Sequence, residues 1–244
     1  MIGTLLTSVR ALRFRAWVAW SAVRVRRLGG RFTVEAAGVP RFLGLPRVEI
    51  DGYPGDVRLR IGADVRMGSG LVIDLAPGAD GVIELGDRAV LQNGIRLQPW
   101  GGTIRLAADV QIRDRCELKS AGDLRLGERA VCGRNVTLHC EERIELAPKV
   151  GLAERVTVID SDHGFDGSDT FFLDQPVRSA PVTIGANTFV ATNAVVLRGS
   201  VIGANSVVAA GAVVNGGSYP DASVIGGVPA RTVKSLADGA HAAP

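Results

Sequence analysis

Aromatic residues are scarce in this chain: Phe, Trp and Tyr make up 5% of its 244 residues, whereas apolar residues as a whole make up 46%. The interior is therefore expected to hold mainly Val, Ile, Leu and Ala. Cysteine is rare as well, and Cys116, Cys132 and Cys140 have no metal-ligand spacing. An odd, unpatterned set of thiols argues against a disulfide framework and indicates a reducing compartment.

Long apolar runs are missing too. No stretch of about 18 apolar residues is present to span a bilayer, and Arg10, Arg13 and Arg15 interrupt any signal-peptide core. The expected location is therefore cytoplasmic.

Acidic residues are absent from the first 34 positions, which contain seven arginines. Subtracting these from the net charge of +3 leaves −4 for the rest of the chain. The stretch from Leu5 to Leu28 has no Pro or Gly and predicts a basic amphipathic helix within residues 1–30. The apolar residues expected to share one face are Leu5, Val9, Leu12, Ala16, Ala19 and Val23.

A six-residue repeat is the dominant pattern of the sequence. From residue 184 it reads IGANTF-VATNAV-VLRGSV-IGANSV-VAAGAV-V, with an aliphatic residue opening each block and a small residue four places later. The openers are Ile184, Val190, Val196, Ile202, Val208 and Val214, and the small residues are Thr188, Ala194, Ser200, Ser206 and Ala212. Helices repeat every 3.6 residues and strands every two, so a strict period of six predicts a coil of short parallel strands, three per turn.

The same spacing recurs upstream, with slips of a few residues between runs. The further openers are Ile61, Met67, Ile73, Leu85, Leu91, Leu97, Leu106, Ile112, Leu118, Leu124, Leu126, Cys132, Leu138, Ile144, Val150 and Val156. We therefore expect an all-β solenoid, a left-handed parallel β-helix of about 18 residues per turn and roughly eight turns. Glu142 and Glu154 stand where a small residue is expected.

These patterns divide the chain into four parts. The expected order is the N-terminal helix (1–30), a lead-in segment (31–60), the coil (61–225) and a C-terminal extension (226–244). A loop is expected to leave the coil at about 160–181.

The role of the basic helix stays open at this stage. One interpretation places residues 5–27 on an anionic membrane surface, where Trp and Arg are favoured, as a peripheral contact. The other packs the helix on the coil or on a neighbouring subunit, where it covers the open first turn. An Arg-rich, acid-poor segment also fits an organelle transit sequence.

The one large break in the repeat, VTVIDSDHGFDGSDTFFLDQPVRSAPVTIG, contains the main catalytic candidate. Loops on rigid scaffolds often carry function. His163 stands at the start of the break, and histidine is the side chain whose unperturbed pKa lies near neutral, so it can accept a proton. Either Asp160 or Asp162 is expected to orient the imidazole and stabilise its charged form. The alternative is a solvated acidic loop in which His163 has no role.

Four stretches between about 126 and 235 resemble hexapeptide-repeat acetyltransferases, in particular sugar O-acetyltransferases related to the maltose and galactoside acetyltransferases. They are D-S-D-H at 160–163, P-V-T-I-G-A-N-T-F-V-A at 181–191, I-G-A-N-S-V-V-A-A-G-A-V-V at 202–214 and I-G-G-V-P-A-R-T-V-K at 225–234. The resemblance covers nearly half of the chain and leaves residues 1–60 out. It is specific to the family but not to a substrate.

The resemblance implies a homotrimer that binds acetyl-CoA in the groove between adjacent coils. It implies that His163 is the general base for a hydroxyl of a sugar or cell-surface polysaccharide precursor. Asn135 falls near the family's acceptor-site asparagine, with a corner residue in a turn as the alternative.

The resemblance also implies a set of donor contacts. Ala191, Thr192 and Ala210 fall where the family contacts the pantetheine arm of acetyl-CoA. Arg231 and Lys234 fall where basic groups meet the CoA phosphates.

Two positions depart from the family pattern. Phe189 stands where the family often has Trp, so the wall beside the thioester is expected to be smaller. Asn215, followed by Gly216, stands where a Thr-Lys pair usually provides a phosphate contact, and it is the cofactor-binding candidate there.

Other function classes fit less well. A sugar N-acyltransferase uses the same base on an amine and stays a close alternative, as does an inactive trimeric binding or scaffold coil. A zinc enzyme of the carbonic anhydrase type needs three converging histidines. Here His139 is expected at a corner and His241 lies in the Gly/Ala/Pro-rich tail, so no metal is predicted. Nucleic-acid binding is not expected, because no basic stripe continues into the repeat.

Overall fold

The computed structural model describes residues 2–237, with side chains from residue 8 onward. Within this part of the chain one α-helix, α1 (Ile2–Arg27), precedes the strands. Before the loop the strands are β1 (Arg31–Ala36), β2 (Arg41–Phe42), β3 (Arg47–Ile50), β4 (Asp56–Ile61), β5 (Arg66–Met67), β6 (Val72–Leu75), β7 (Gly81–Leu85), β8 (Val90–Leu91), β9 (Arg96–Gln98), β10 (Thr103–Leu106), β11 (Gln111–Ile112), β12 (Glu117–Ser120), β13 (Asp123–Leu126), β14 (Val131–Cys132), β15 (Thr137–Cys140), β16 (Arg143–Leu146), β17 (Gly151–Leu152) and β18 (Thr157–Ile159). The loop and the last turns contain β19 (Ser161–His163), a 3-10 helix (Phe172–Asp174), β20 (Val177–Ser179), β21 (Val182–Ile184), β22 (Phe189–Val190), β23 (Val195–Val196), β24 (Ser200–Ile202), β25 (Val207–Val208), β26 (Val213–Val214), β27 (Gly217–Tyr219), β28 (Ser223–Gly227) and β29 (Ala230–Ser235).

Three parallel sheets form the walls of a coil, because each strand pairs with the strands one turn before and after it. Sheet A contains β1, β4, β7, β10, β13, β16, β21, β24 and β27. Sheet B contains β2, β5, β8, β11, β14, β17, β22, β25 and β28 and ends on the antiparallel β29; sheet C contains β3, β6, β9, β12, β15, β18, β23 and β26. The fold is a left-handed parallel β-helix of about nine turns, which confirms the predicted fold class.

The six-residue pattern builds the core of this coil. Every opener named above is buried, and each contributes about 25 cal/mol per Å² of apolar surface removed from water. The small residues of the last turns are buried as well, and their hydroxyls tie neighbouring turns together. Thr188 Oγ1, for example, donates to the Gly203 carbonyl at 2.9 Å.

Turn length changes along the coil and explains the slips in the repeat. Twenty residues separate the paired Thr137 and Thr157, whereas eighteen separate Val195 and Val213. The longer turns have longer sheet C strands, four residues in β15 against two in β23. The extra length moves Glu142 out of the core to a corner, where its carboxylate accepts a hydrogen bond from Ser179 Oγ at 2.8 Å.

The coil begins at Arg31 rather than at residue 61. Strands β1, β2 and β3 pair with β4, β5 and β6, so the expected lead-in segment, 31–60, instead forms the first turn and the start of the second. Twenty-five residues separate the paired Arg31 and Asp56. Turns of this length, with Gly and Pro at their corners, do not keep a six-residue count, and for that reason the pattern did not predict them.

Helix α1 packs on this first turn, as one interpretation predicted, but through an unexpected face. The buried side chains are Phe14, Trp17, Ser21 and Val25. Trp17 Nε1 donates to the Pro46 carbonyl at 2.6 Å, and its ring lies edge-on to Phe32 with centroids 6.1 Å apart. The face predicted from the sequence is exposed from Val9 to Val23, and its first member, Leu5, lies outside the residues whose side chains are described. Both faces carry apolar residues, so spacing alone did not identify the one that contacts the coil.

The cysteines and His139 belong to the coil. Cys116, Cys132 and Cys140 are free and buried, and burial raises the pKa of Cys116 to about 11 and that of Cys140 to about 12. His139 lies within β15 and not at a corner, which corrects the expectation. Burial, followed by the charge of Lys119, lowers the pKa of His139.

The C-terminal extension starts with ordered structure, since β28 and β29 form an antiparallel hairpin. Residues 238–244, with His241, lie outside the described part of the chain. Among residues 2–237 no helix combines the length and apolar character needed to cross a bilayer.

Candidate active site

His163 lies on a hairpin that leaves the coil after β18. Strand β19 pairs with β20, and His163 lies opposite Val177. The imidazole is exposed and meets Phe172 edge-on, with ring centroids 5.4 Å apart. The coil resumes at β21 in register with β16. His163 is thus held at the side of a rigid wall, open to a substrate.

The loop beyond His163 is held by its own hydrogen bonds. Gln175 is buried inside it, where its Oε1 accepts from the Asp166 amide at 3.0 Å and its Nε2 donates to the Thr170 carbonyl at 3.1 Å. Hydrogen bonds from Ser168 lower the pKa of Asp166. Gln175 could not be identified from the sequence, because a polar residue in a loop is normally solvated.

Asp160 does not face His163. Its fully buried carboxylate accepts hydrogen bonds from the backbone amides of Glu141, Glu142 and Arg143 at 2.6, 2.8 and 2.7 Å. Its carbonyl accepts from the Ala180 amide at 2.9 Å, where the chain returns from the loop. Asp160 therefore links the two ends of the loop to the corner of the preceding turn, at residues 141–143.

Asp162 also has another partner. Its carboxylate binds Arg198 Nε at 2.7 Å, and the pair is exposed on the surface. Among the described residues the side-chain hydrogen bonds include none to the His163 ring. The ring contact of His163 within this chain is with Phe172.

Asn135 is a corner residue between sheets B and C. It adopts a left-handed backbone, with φ of 56°, and its Oδ1 accepts from Arg115 Nε at 3.0 Å. Arg155 and Asn193 repeat the conformation on the next two turns, with φ of 58° and 60°. Asparagine tolerates this region better than most residues, so the corner accounts for the residue type. Its acceptor role remains a prediction.

Three donor candidates lie together at the same corner. Ala191 and Thr192 follow β22, and the Gly211 amide donates to the Thr192 carbonyl at 3.0 Å, which places Ala210 one turn above Thr192. Thr192 Oγ1 donates to the Glu154 carbonyl at 2.8 Å, so its hydroxyl is engaged within the coil. The surface that a ligand can contact at this corner therefore consists of small side chains.

The basic candidates and Asn215 lie apart from this corner. Arg231 and Lys234 are exposed on β29, where they pair with Gly226 and Val224 on the last edge of sheet B. Asn215 follows β26 at the corner between sheets C and A. The structure therefore groups the small residues at one corner, puts the cations on an adjoining strand and separates Asn215 from both.

A groove of about 990 Å³ runs along sheet A, away from His163. Charged side chains line it, including Arg60, Glu84 and Arg105. In the described residues, no group of three or more His, Cys, Asp or Glu is arranged to hold a metal ion.

Family models match two parts of the coil. Residues 181–216 match the bacterial transferase hexapeptide of six repeats, and residues 58–98 match the hexapeptide repeat of succinyl-transferase. Hexapeptide repeats are thus matched on both sides of the loop. The match at 181–216 confirms the resemblance predicted between about 126 and 235, and the match at 58–98 adds a stretch that the resemblance had not included.

The chain is similar to a Mycobacterium tuberculosis protein named "Probable acetyltransferase". The two are 35% identical over 142 residues, which is 58% of this chain and 47% of the relative. The match thus spans about half the length of that relative.

Solved structures share the coil. A hexapeptide-repeat acetyltransferase from Vibrio cholerae, in complex with acetyl-CoA, is 22% identical over 62% of this chain and 70% of its own, with a TM-score of 0.44. A galactoside acetyltransferase in complex with CoA is 22% identical over 60% of this chain and 61% of its own, also at 0.44. At this level the likeness concerns the fold alone.

Proposed function

We propose that this protein is an acetyl-CoA-dependent acetyltransferase that modifies a hydroxyl of a sugar or cell-surface polysaccharide precursor. The observation that carries the proposal is the placement of His163, exposed on a braced hairpin at the one large break in the coil. The 35% identity to a protein named as an acetyltransferase supports it. A coil that only binds would need no such histidine.

The proposed reaction needs one base. His163 takes the proton of the acceptor hydroxyl while the oxygen attacks the thioester carbonyl. The new C–O bond forms, the C–S bond breaks, and the imidazolium returns its proton to the departing CoA thiolate. The edge-on contact with Phe172 and the braced loop hold the ring in place during both transfers.

The donor is proposed to lie along the corner of small side chains. Ala191, Thr192 and Ala210 leave room for the pantetheine arm, and Arg231 and Lys234 are exposed cations suited to CoA phosphates. Asn215, one strand away, would contact the donor only if another chain brought the two corners together. We therefore propose a homotrimer with the donor between adjacent coils, and sedimentation velocity tests the oligomeric state.

The test is thiol release from acetyl-CoA across a panel of sugars, amino sugars and nucleotide-sugars. His163→Ala should lower turnover by about 10²-fold or more, the usual contribution of a general base, and leave CoA binding by calorimetry unchanged. His139→Asn, which removes a histidine outside the loop, is the matched control and should stay within a few-fold of wild type.

The panel separates the alternatives. A fall of less than a few-fold in His163→Ala contradicts the assigned base. Release that requires an amine rather than a hydroxyl supports an N-acyltransferase instead. CoA binding without release on any acceptor favours a binding coil.

A further inference from the structure

Helix α1 has a second apolar face that the coil does not cover. Its members recur every three or four residues and are exposed, Leu12 by 70% and Trp20 by 55%. They are Val9, Leu12, Ala16, Ala19, Trp20 and Val23. At 100° per residue they form one stripe on the side of α1 opposite to Phe14, Trp17 and Ser21.

Arginines border this outer stripe on both sides. By the same rotation, Arg15 and Arg26 lie along one border, and Arg13 and Arg24 lie along the other. No Asp or Glu occurs before Glu35, and the ion pairs within residues 8–237 involve none of the α1 arginines. The face is therefore apolar along its centre and positive along its edges.

The orientation of the face is fixed by the contacts beneath it. Trp17 anchors α1 to the Pro46 carbonyl, and Arg24 Nη1 donates to the Val48 carbonyl at 3.1 Å. The Arg24 guanidinium also stacks on Trp20, 4.6 Å from the ring centroid. The stripe is thus presented outward by the end of a rigid coil.

We propose that the outer face of α1 docks on an anionic lipid bilayer, lying in the plane of the interface. Leu12 and Trp20 would enter the boundary between headgroups and acyl chains, and Arg15 and Arg26 would contact lipid phosphates. A second copy of the chain fits less well, because two such faces would bring rows of arginine together. This inference does not depend on the proposed transferase activity.

The test is co-sedimentation of the full chain with vesicles of phosphatidylcholine alone or mixed with phosphatidylglycerol. Binding is expected only to the anionic vesicles and should fall as salt is raised, because the Debye length shortens to about 3 Å at 1 M. Arg15→Gln and Arg26→Gln should each weaken it about five-fold, the equivalent of about 1 kcal/mol per charge.

The apolar stripe is tested separately. Leu12→Glu and Trp20→Glu should each weaken binding about ten-fold or more, since each removes apolar contact and adds a repelled charge. Tyr53→Glu is the matched control, because Tyr53 is an exposed aromatic on the coil, 69% accessible. All three sites are exposed, so thermal unfolding should change little.

Three outcomes would overturn the proposal. They are equal binding to neutral and anionic vesicles, no binding to either, and binding by Trp20→Glu equal to wild type. If Leu12→Glu lowers the molar mass measured by light scattering, the face is instead an interface between copies. Turnover on a soluble acceptor should be the same in all these variants, which keeps this test separate from that of His163.

Discussion

Asp160 allows a quantitative test of how the loop is attached. Its buried carboxylate accepts three backbone hydrogen bonds, from Glu141, Glu142 and Arg143. Asp160→Ala leaves three amides without a partner, and each buried, unsatisfied donor costs about 1–3 kcal/mol. These three hydrogen bonds are only part-buried, so water can replace some of them, and the low end of this range of costs applies. The expected loss is about 3 kcal/mol for Asp160→Ala and about 2 kcal/mol for Asp160→Asn, whose oxygen still accepts part of the set.

The assay is unfolding in guanidinium and by heat, followed by circular dichroism at one protein concentration. A loss of about 3 kcal/mol corresponds to a fall in Tm of about 6–12 °C for a chain of this size. Asp162→Asn is the matched control, because it removes a carboxylate two residues away whose exposed pair with Arg198 is worth at most about 1 kcal/mol. Hydrogen exchange at residues 141–143 should rise in Asp160→Asn and not in the control.

The opposite result is that Asp160→Asn unfolds like wild type while its turnover falls as far as that of His163→Ala. That result would mean that Asp160 acts through the imidazole, as the sequence alone suggested. A double variant distinguishes the two roles further, because residues that act as one unit are strongly non-additive in turnover.

Three further predictions follow from buried groups. The thiols of Cys116 and Cys140, with pKa values of about 11 and about 12, should resist an aromatic disulfide reagent at pH 8 and react only after unfolding; rapid labelling of the native protein would contradict their burial. The pKa of His139 lies below its usual value of 6.5, so the stability contributed by the neutral ring should be lost as pH falls below 6.5. Lys119→Met should raise that pKa in an NMR titration, and an unchanged value would remove Lys119 as a cause. Gln175→Ala should speed hydrogen exchange within residues 164–176 but not in the coil, and uniform exchange across both would show that the loop is not braced by Gln175.

The coil could be predicted from the sequence where the length of a turn is a multiple of the six-residue repeat. Ile184 and Val190 were assigned to the core from spacing alone, because an eighteen-residue turn keeps three blocks of six in phase. The first turn, from Arg31, escaped prediction because its corners lengthen it to twenty-five residues. Helix α1 was predicted, but not the face that packs, because apolar residues occur on both sides of it: Trp17 is buried, whereas Trp20, only three residues further on, is exposed.

The residues of the candidate site could be predicted from the sequence, but the residues that they contact could not. His163 was found because it stands at a break in a regular pattern. Asp160 and Asp162 were equally plausible orienting groups, because sequence proximity does not show which direction a carboxylate points. The backbone amides that donate hydrogen bonds to Asp160 come from the preceding turn. Arg198, the partner of Asp162, comes from the next turn. Side-chain contacts between turns depend on how the strands of successive turns are aligned, and the six-residue repeat does not predict that alignment.

The outer walls of the coil differ on the two sides of the loop. Upstream, sheet A carries a charge ladder in which Arg105 pairs with Glu84 at 3.1 Å and with Asp123 at 2.6 Å. Beyond the loop the same row becomes Thr183 and Val201. Covering the ladder would strip water from several charges at a cost of several kcal/mol per ion, whereas covering the uncharged row would cost little. A neighbouring coil is therefore expected against the downstream turns of sheet A, and the upstream turns are left to solvent and to α1.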